Sequence, residues 1–363
     1  MQFLMIGGFL GAGKTTAIAR LAKHYTENGK RVGIVTNDQA FGLVDTKSLQ
    51  AQGFQVGEVP GACFCCKFDD LIETIGKLKA GTTPDVIITE PVGSCTDLAA
   101  TVIEPLRQLH GGSFTISPLT VLLKPEHGLK ILKNEPKSGF SPKAAYIFLK
   151  QIEEADIVVL NKIDKLDETK RNELFACVQS RFPEKTILLA SAKTGKGFDD
   201  LIPLLDQATT GRHSFMHVDY DVYAEGEAEM GWLNASAEFS SQATDAITLD
   251  KFAVDLLSEV KNRLAQINAE PAHLKVLCES NEMAAIANLV GSDVDIDLSS
   301  ASGVEANRLE ATINARAITS PEDLERIVRD SIDAIASTYK CNHSLKDMRC
   351  FRPGRPVPTH RLK

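Results

Sequence analysis

The segment GGFLGAGKTT at residues 7–16 constrains the fold more than any other part of the chain. It contains the spacing GxxxxGK[ST], directly after the apolar run QFLMI and before a stretch with helical periodicity. In this context backbone N–H groups surround phosphates, Lys14 reaches the outer phosphates, and the Thr15 hydroxyl ligates Mg2+. The segment therefore predicts a phosphate-binding loop between a strand and a helix. Its predicted nucleotide contacts are Gly8, Gly11, Ala12, Gly13, Lys14, Thr15 and Thr16.

Short apolar runs separated by helical segments recur along the first 210 residues. Strands of this kind indicate a parallel sheet that is covered on both faces. We predict a Rossmann-like α/β P-loop domain with a mostly parallel sheet over residues 1–211. Its predicted strands are 2–6, 31–37, 54–59, 85–90, 119–123, 156–161 and 186–191.

Beyond residue 211 the pattern changes to strands alternating with two long amphipathic helices. We predict a smaller α+β domain over residues 212–363, with one antiparallel sheet and helices on one face. Ser320 as N-cap and Pro321 at the first helical position mark the second helix. The last fifteen residues, RCFRPGRPVPTHRLK, form an extended tail that is either mobile or docked on a surface. The predicted strands are 231–240, 273–279 and 308–317, and the predicted helices are 249–268 and 321–339.

Charge and hydropathy limit the partners. The chain has 363 residues, a formal net charge of −8 and a pI near 5.6, which argues against nucleic acid and anionic membranes as partners. No basic leader precedes the first apolar run and no run approaches the roughly 18 apolar residues of a spanning helix, so neither a signal peptide nor a membrane anchor is expected. We expect a cytoplasmic protein, in which clustered cysteines serve as metal ligands or redox groups instead of disulfides.

The segment GACFCCKFDD places three of the eight cysteines within four residues. Thiolates of Cys63, Cys65 and Cys66 suit Zn2+ or another borderline to soft metal ion. In an extended segment alternate residues share a face, so Cys66 joins the other two only if the chain turns. Glu58 and Cys95 are candidates for a fourth ligand, although an ordinary buried thiol is the favoured interpretation of Cys95.

The segment NKID follows the apolar strand DIVVL. A carboxylate at Asp164 can accept hydrogen bonds from N1 and the 2-amino group of guanine, a donor pair that adenine lacks. The segment Ser191-Ala192-Lys193 follows the next strand, and together they indicate GTP. The predicted base contacts are Asn161, Lys162, Asp164, Ser191, Ala192 and Lys193.

Two further strand ends lie between the phosphate loop and NKID. Glu90 is expected to hold the Mg2+ shell, and Gly93 to donate its N–H to the γ-phosphate. Asp38 follows another strand, where it contacts Mg2+ or orients the attacking water, or else serves as an ordinary turn or cap residue. We predict Lys14, Asp38 and Glu90 as catalytic residues, with Thr15, Asp38 and Glu90 around Mg2+.

The phosphate loop, the CFCC of 63–66, the ExxG of 90–93 and the NKID of 161–164, in this order, resemble the CobW-like GTPases. These are SIMIBI-class P-loop metallochaperones related to the urease and hydrogenase nickel-insertion GTPases and to cobalamin chaperones. The resemblance covers about the first 210 residues. It implies a GTPase, with GTP and Mg2+ as cofactors, that binds Zn2+ or Co2+ through Cys63, Cys65 and Cys66 and delivers the ion to a client protein upon hydrolysis. A homodimer is compatible with it.

Three positions depart from the usual pattern of the family. Ala62 stands where a glycine usually precedes the first cysteine, the segment Asn37-Asp38-Gln39-Ala40-Phe41-Gly42 replaces Asn-Glu-Phe-Gly, and Pro91-Val92 follows the ExxG glutamate. A histidine-rich tract is also absent from the sequence. These departures bear on the identity and storage of the metal more than on GTP binding.

Two other functions fit the same residues. One is a GTPase chaperone or reactivator of a cobalamin- or corrinoid-dependent enzyme, with structural or redox-active thiols. The other is a regulatory module that binds GTP without hydrolysing it. Near the end of the sequence, Cys341, His343 and Cys350 suggest a second soft-metal site or a docking surface, although scattered residues in a terminal loop are the favoured interpretation.

Overall fold

The computed structural model describes residues 1–38, 44–79, 83–133, 141–209, 215–241 and 246–362. The chain divides into two compact units. The first comprises Met1–Gln39, Gln52–Gly226 and Arg355–Lys363, and the second comprises Ala40–Ala51 and Glu227–Gly354. The predicted boundary between residues 211 and 212 lies outside the described residues and stays a prediction. Three described segments fall in the other unit from the one that the predicted division implies: residues 44–51, 215–226 and 355–362.

The described residues form sixteen strands and eleven α-helices. The strands are β1 (Gln2–Gly8), β2 (Val32–Asp38), β3 (Gln55–Pro60), β4 (Val86–Glu90), β5 (Thr115–Ile116), β6 (Thr120–Leu123), β7 (Ile157–Leu160), β8 (Thr186–Leu189), β9 (Gly231–Ser241), β10 (Ile247–Thr248), β11 (Pro271–Ser280), β12 (Met283–Leu289), β13 (Asp297–Ser300), β14 (Glu305–Ala306), β15 (Arg308–Ala317) and β16 (Cys341–Phe351). The helices are α1 (Lys14–Glu27), α2 (Val44–Ala51), α3 (Phe68–Lys79), α4 (Glu104–His110), α5 (Pro125–Leu132), α6 (Pro142–Glu154), α7 (Glu168–Arg181), α8 (Phe198–Leu205), α9 (Tyr220–Ala228), α10 (Leu249–Gln266) and α11 (Pro321–Thr338). A π-helical turn covers Ala99–Ile103, and a 3-10 turn covers Ile163–Lys165.

The first unit is built on a parallel sheet with the strand order β3-β2-β4-β1-β6-β7-β8, and β5 also pairs with β1. Each of these pairings is parallel. The predicted α/β fold is therefore confirmed. Because all strands run in one direction, their carboxyl ends share one edge of the sheet, which is where ligands bind in open α/β sheets. The predicted site segments follow β1, β2, β3, β4, β7 and β8 at that edge.

The second unit contains a six-stranded antiparallel sheet with the order β13-β12-β11-β15-β9-β16. Helix α10 presents Phe252, Leu256, Val260 and Leu264 to its hydrophobic core, a spacing of one helical turn, and α11 packs against the same core. The Ser320 hydroxyl accepts a hydrogen bond from the Asp323 N–H at 3.0 Å, as expected of an N-cap. The α+β character of this region is confirmed.

Helix α2 belongs to the second unit and corrects the expectation of helices on one face only. Val44 packs against Leu277 and Ile286, whereas Val276 and Cys278 face the core of α10 and α11. Because successive strand residues point to opposite faces, α2 lies on the other side of the sheet. The Val44 N–H also donates to the Oδ1 atom of Asn314 at 2.9 Å.

The segment that carries Cys341, His343 and Cys350 is the edge strand β16 and not a terminal loop. The Cys350 thiol donates to the carbonyl oxygen of Pro321 at 3.0 Å, and the Nε2 atom of His343 lies 2.9 Å from Asp333. Among the residues that the structure describes, the three do not converge on a common metal position. Within the same residues, no helix is both long enough and apolar enough to span a membrane.

Candidate nucleotide and metal sites

The phosphate loop connects β1 to α1 through three glycines with positive φ. Gly8, Gly11 and Gly13 have φ values of 134°, 72° and 92°. A Cβ atom on Gly8 would lie 2.3 Å from the carbonyl oxygen of Leu122, and one on Gly13 would lie 2.5 Å from Nδ2 of Asn161. Both positions therefore require glycine for space as well as for backbone conformation.

Three side chains meet at the start of α1. The buried Lys14 ammonium donates to the Gly8 carbonyl oxygen at 3.0 Å and lies 4.0 Å from Oε1 of Glu90. The Thr15 hydroxyl donates to that same Oε1 atom at 3.1 Å. A hydroxyl and a carboxylate side by side at the end of a phosphate loop fit the oxygen ligands that Mg2+ prefers. The neighbouring Thr16 is exposed.

Asp38 is the last residue of β2, one strand away from Glu90 in the sheet. Its carbonyl oxygen accepts a hydrogen bond from the Gly61 N–H at 3.0 Å, which attaches the end of β2 to the segment before the cysteines. Residues 39–42, which belong to the segment that departs from the family pattern, lie outside the described residues. The role of the Asp38 side chain stays a prediction.

Hydrogen bonds hold the segments of the predicted guanine site together. Asn161 donates from Nδ2 to the Ala12 carbonyl oxygen at 2.8 Å and accepts from the Ala192 N–H at 2.9 Å. The Ser191 hydroxyl donates to the Asp164 carboxylate at 2.6 Å, which fixes its orientation. Lys162 has a left-handed φ of 62° at the turn. These contacts join the phosphate loop to both predicted base-recognition segments.

Arg20 is a positioning residue that the motifs do not indicate. From α1, its guanidinium donates to the carbonyl oxygens of Ala192 at 2.7 Å and Lys193 at 2.9 Å. It thereby links the Ser191-Ala192-Lys193 segment to α1. Only its place on the helix that follows the phosphate loop hints at this role in the sequence.

The loop after Gly93 lies against the phosphate loop. A Cβ atom on Gly93 would lie 2.8 Å from Cδ2 and 3.1 Å from the backbone nitrogen of Leu10, so a larger residue would require Leu10 to shift. The buried Gln151 donates from Nε2 to the carbonyl oxygens of Gly93 at 3.0 Å and Cys95 at 2.8 Å. Gln151 stands on the apolar face of α6, and a polar residue at such a position was the available sequence signal.

Glu154 holds the continuation of this loop. Its carboxylate accepts from the Thr96 hydroxyl at 3.0 Å and from the Ala99 N–H at 3.1 Å. Burial is the main cause that raises the pKa of Glu154 to about 8, and the charge of nearby Asp97 adds to it. Gln151 and Glu154 therefore bind residues 93–99 from one helix.

Cys63, Cys65 and Cys66 form a compact cluster, called here the cysteine turn. Their Sγ atoms are separated by 2.7 Å (Cys63 to Cys65), 3.4 Å (Cys63 to Cys66) and 3.7 Å (Cys65 to Cys66). The Cys66 N–H donates to the Cys63 carbonyl oxygen at 3.0 Å, so the chain makes the turn that the sequence required for Cys66 to join. A tetrahedral ion with Zn–S bonds of about 2.3 Å separates its sulfur ligands by about 3.8 Å, so the cluster fits after the first pair opens by about 1 Å.

The three thiols share hydrogen bonds that favour a negative charge on Cys63. Donation from Cys65 and Cys66, and from the nearby Cys95 thiol, lowers the pKa of Cys63 well below its ordinary value. The hydrogen bond that Cys65 makes to Cys63 raises the pKa of Cys65. The hydrogen bond that Cys66 makes to Cys63 raises the pKa of Cys66 to about 11. The hydrogen bonds within the cluster therefore favour deprotonation of Cys63 over deprotonation of Cys65 and Cys66. Among the described residues, neither Cys95 nor Glu58 belongs to the group that could ligate one ion.

Asn37 organises the cysteine turn. Its Nδ2 atom donates to the carbonyl oxygens of Val59 and Ala62, each at 2.7 Å, and its Oδ1 atom accepts from the Phe64 N–H at 2.8 Å. The side chain thus satisfies three backbone groups with one amide. Because Asn37 immediately precedes Asp38, the predicted water-orienting position and the cysteine turn are held by adjacent residues. Only the position of Asn37 at a strand end hints at this role in the sequence.

A parallel α/β sheet with a phosphate loop and an NKxD segment at its carboxyl edge defines a P-loop nucleotide-binding domain. The family description "CobW/HypB/UreG, nucleotide-binding domain" matches residues 2–188, slightly more than half of the chain. The chain therefore belongs to the CobW/HypB/UreG family of P-loop GTPases, as the resemblance of its motifs indicated.

Three relatives illustrate the similarity. The zinc chaperone YeiR of Escherichia coli (strain K12) is 32% identical over 170 residues, which span 44% of this chain and 46% of that protein. The zinc chaperone CobW of Sinorhizobium sp is 29% identical over 211 residues, 53% of this chain and 59% of that protein. The urease accessory protein UreG of Metallosphaera sedula is 28% identical over 218 residues, 55% of this chain and 90% of that protein. The chain thus spans about half the length of the two zinc chaperones.

Proposed function

We propose that this protein is a GTP-hydrolysing metallochaperone that binds a divalent ion, Zn2+ or Co2+, at the cysteine turn and delivers it to a client protein. The observation that carries the proposal is the Asn37 amide. It holds the turn from the position next to Asp38, at the sheet edge that also bears the phosphate loop. Two relatives named as zinc chaperones support zinc as the cargo.

The nucleotide site would act mainly by positioning and by charge. Lys14 and the N–H groups of the phosphate loop would stabilise the negative charge of the phosphates. Thr15 and Glu90 would hold Mg2+, which neutralises charge on the phosphates when bound. Asp38 would orient the attacking water, and the Gly93 N–H would contact the γ-phosphate. Asn161 and Asp164 would select guanine.

Loss of the γ-phosphate would free two segments at once. Gly93 would lose its contact and release the loop that follows it, and Asp38 would move with the end of β2. Because Asn37 is next to Asp38 and binds three groups around the cysteine turn, this movement would change the arrangement of the thiols. Three protein ligands leave one position of a tetrahedral ion open, through which a client could take the ion.

The experiment is a titration of the full chain with Zn2+ and with Co2+, in parallel with an assay of phosphate release from GTP. We expect about one equivalent of bound ion and, for Co2+, the thiolate-to-metal absorption of a sulfur-rich site. Cys66→Ala should weaken binding by at least about a hundredfold, because a direct ligand is lost. Cys177→Ala, a half-buried cysteine on α7, is the matched control and should bind as the wild type does.

Other outcomes would point elsewhere. Unchanged binding in Cys66→Ala would contradict the metal site. GTP binding without phosphate release under any metal condition would indicate the regulatory module instead. Binding of cobalamin in place of the free ions would indicate the chaperone of a corrinoid enzyme. Transfer of bound ion to an apo-client only in the presence of GTP would complete the case for delivery.

A further inference from the structure

We propose that residues 355–362 form a strap that closes the cysteine turn, and that a metal ion enters or leaves the turn only when this strap releases. The inference rests on the proposed metal site and adds a regulatory element to it. It follows from contacts at both ends of the strap, within the first unit of the chain.

The first half of the strap binds the cysteine turn. The Val357 N–H donates to Sγ of Cys66 at 3.2 Å, and the Thr359 N–H donates to the Cys65 carbonyl oxygen at 2.8 Å. The Thr359 hydroxyl also donates to the Cys66 carbonyl oxygen at 3.1 Å. Alternate N–H groups of an extended chain point to the same side, as those of Val357 and Thr359 do here. The neighbouring Pro356 and Pro358 have no N–H, so no donor is left unsatisfied on the other side. The spacing RPVPT therefore suits a segment that binds with one edge.

The strap touches the turn at its accessible side. Cys63 and Cys65 are buried, with 4% and 1% of their surfaces exposed, whereas Cys66 is only half-buried. Cys66 is thus the thiol at which an ion or a chelator arrives first. It is also the thiol that accepts the hydrogen bond from Val357. An ion that exchanges at the turn must therefore pass the strap.

The second half of the strap is anchored next to the loop that follows Gly93. Arg361 donates from Nε to the Asp97 carboxylate at 2.7 Å, and Tyr220 donates its hydroxyl to the same oxygen at 2.7 Å. Asp97 is only 1% exposed, so this pair is far better shielded from water than a surface ion pair. The Leu362 N–H donates to the Ala100 carbonyl oxygen at 3.0 Å.

His360 seats the middle of the strap. Its ring meets the buried Phe68 ring edge to face, with centroids 5.1 Å apart. Phe68 is the first residue of α3, two positions after Cys66. The strap consequently contacts the turn, the helix behind it and the loop after Gly93. A displacement of Gly93 would move the loop that contains Asp97. Because Arg361 binds Asp97, the strap over the cysteine turn would move with it.

Two rates measured on Arg361→Ala test the proposal. The first is the rate at which excess chelator removes Zn2+ from the loaded full chain. The second is the rate at which iodoacetamide alkylates Cys66 in the metal-free protein, followed by mass spectrometry at that residue. We expect both rates to rise by about tenfold, because removal of the guanidinium detaches the strap from a buried carboxylate. Thr359→Val, which keeps the shape and removes one donor, should raise both by a few fold.

Arg355→Ala is the matched control. Arg355 lies on the same segment, but its partner Asp221 is exposed and the pair is a surface ion pair. Such pairs contribute little, so both rates should stay within about twofold of the wild type. Unchanged rates in Arg361→Ala and in Thr359→Val would overturn the strap. If Arg361→Ala does not fold, Thr359→Val decides the question alone. Failure of the wild type to bind Zn2+ would instead overturn the proposed function, and the alkylation rate in metal-free protein distinguishes the two failures.

Discussion

The two ends of the ligand-binding sheet edge are assembled in different ways. One end, called here the guanine end, follows β7 and β8, where guanine recognition is predicted. There Asn161, Ala192, Ser191 and Asp164 bond to one another and to the phosphate loop over distances of 2.6 to 2.9 Å. At the cysteine end, the turn is held by one amide from β2 and by a strap that lies about 290 residues further along the chain. The guanine end is therefore preformed by its own segments, whereas the cysteine end depends on parts that can move independently of it.

The largest expected effect comes from breaking the preformed end. Asp164→Asn removes the carboxylate that would accept two hydrogen bonds from guanine, so GTP affinity should fall by about a hundredfold. None of the described hydrogen bonds of Asp164 involves the cysteine turn, so the Zn2+ affinity measured without nucleotide should stay the same. Calorimetric titration with GTP and with Zn2+ measures both.

Asp167→Asn is the control for that substitution. Asp167 lies three residues further along and caps α7 by accepting from the Lys170 N–H at 2.8 Å. Asparagine caps a helix as well as aspartate does, so GTP affinity should not change. A similar loss of GTP affinity in both variants would show that the loop, and not guanine recognition, was damaged.

A smaller effect is expected at the cysteine end. Asn37→Ala leaves the Val59 and Ala62 carbonyl oxygens and the Phe64 N–H without their partner, which should cost about 2 to 3 kcal/mol of folding free energy. Zn2+ affinity should fall by about tenfold, since a residue that orients ligands is lost. Urea unfolding and competition with a chromophoric chelator measure these quantities. Asn28→Ala, at the exposed end of α1, should alter neither. An Asn37→Ala protein with wild-type Zn2+ affinity would contradict the role given to this amide.

The smallest expected change in folding free energy, per unit of pH, comes from Glu154. The pKa of Glu154 is about 8 in the folded protein, above its ordinary value of 4.5. Between these values the folded protein keeps a proton that the unfolded chain has lost, so this contribution to stability is complete below pH 4.5 and is lost as the pH rises to 8. The free energy of unfolding should fall by at most about 1.4 kcal/mol per pH unit from this group.

Glu154→Gln should remove that slope, whereas Glu153→Gln, at the exposed neighbouring position, should keep it. Urea unfolding at several pH values between 5 and 8 gives the slopes. Glu154 holds the loop to which Arg361 anchors the strap. The pH-dependent change in the free energy of unfolding therefore concerns the cysteine end of the sheet edge. An equal slope in wild type and Glu154→Gln would contradict the assignment.

The sequence predicted the parallel sheet well for a physical reason. Strands that are buried on both faces are apolar throughout, so β1, β2, β3, β4, β6, β7 and β8 stand out from their surroundings. The guanine-site segments followed from the same logic, because each lies directly after such a strand. Gly8 and Gly13 could be anticipated, since the phosphate loop needs positive φ at those positions.

Other features could not be predicted, since they depend on contacts that sequence distance hides. Strand β16 is an edge strand with mostly exposed side chains and hence lacks an apolar pattern. Asn37 acts through an amide whose three partners are known only once the turn has formed. The contacts of Thr359 and Arg361 join residues that are more than 260 positions apart. Prolines and basic residues indicated an extended segment but not the surface on which it lies.

Nucleotide binding and metal binding should be coupled through the cysteine end. The most direct measurement is the Zn2+ affinity of the full chain with a non-hydrolysable GTP analogue and with GDP, in wild type and in Asn37→Ala. We predict tighter binding with the analogue by at least about fivefold, and by linkage an equal gain in analogue affinity, relative to GDP, upon Zn2+ binding. In Asn37→Ala this ratio should fall towards one. Equal Zn2+ affinities in the two nucleotide states of the wild type would contradict the coupling.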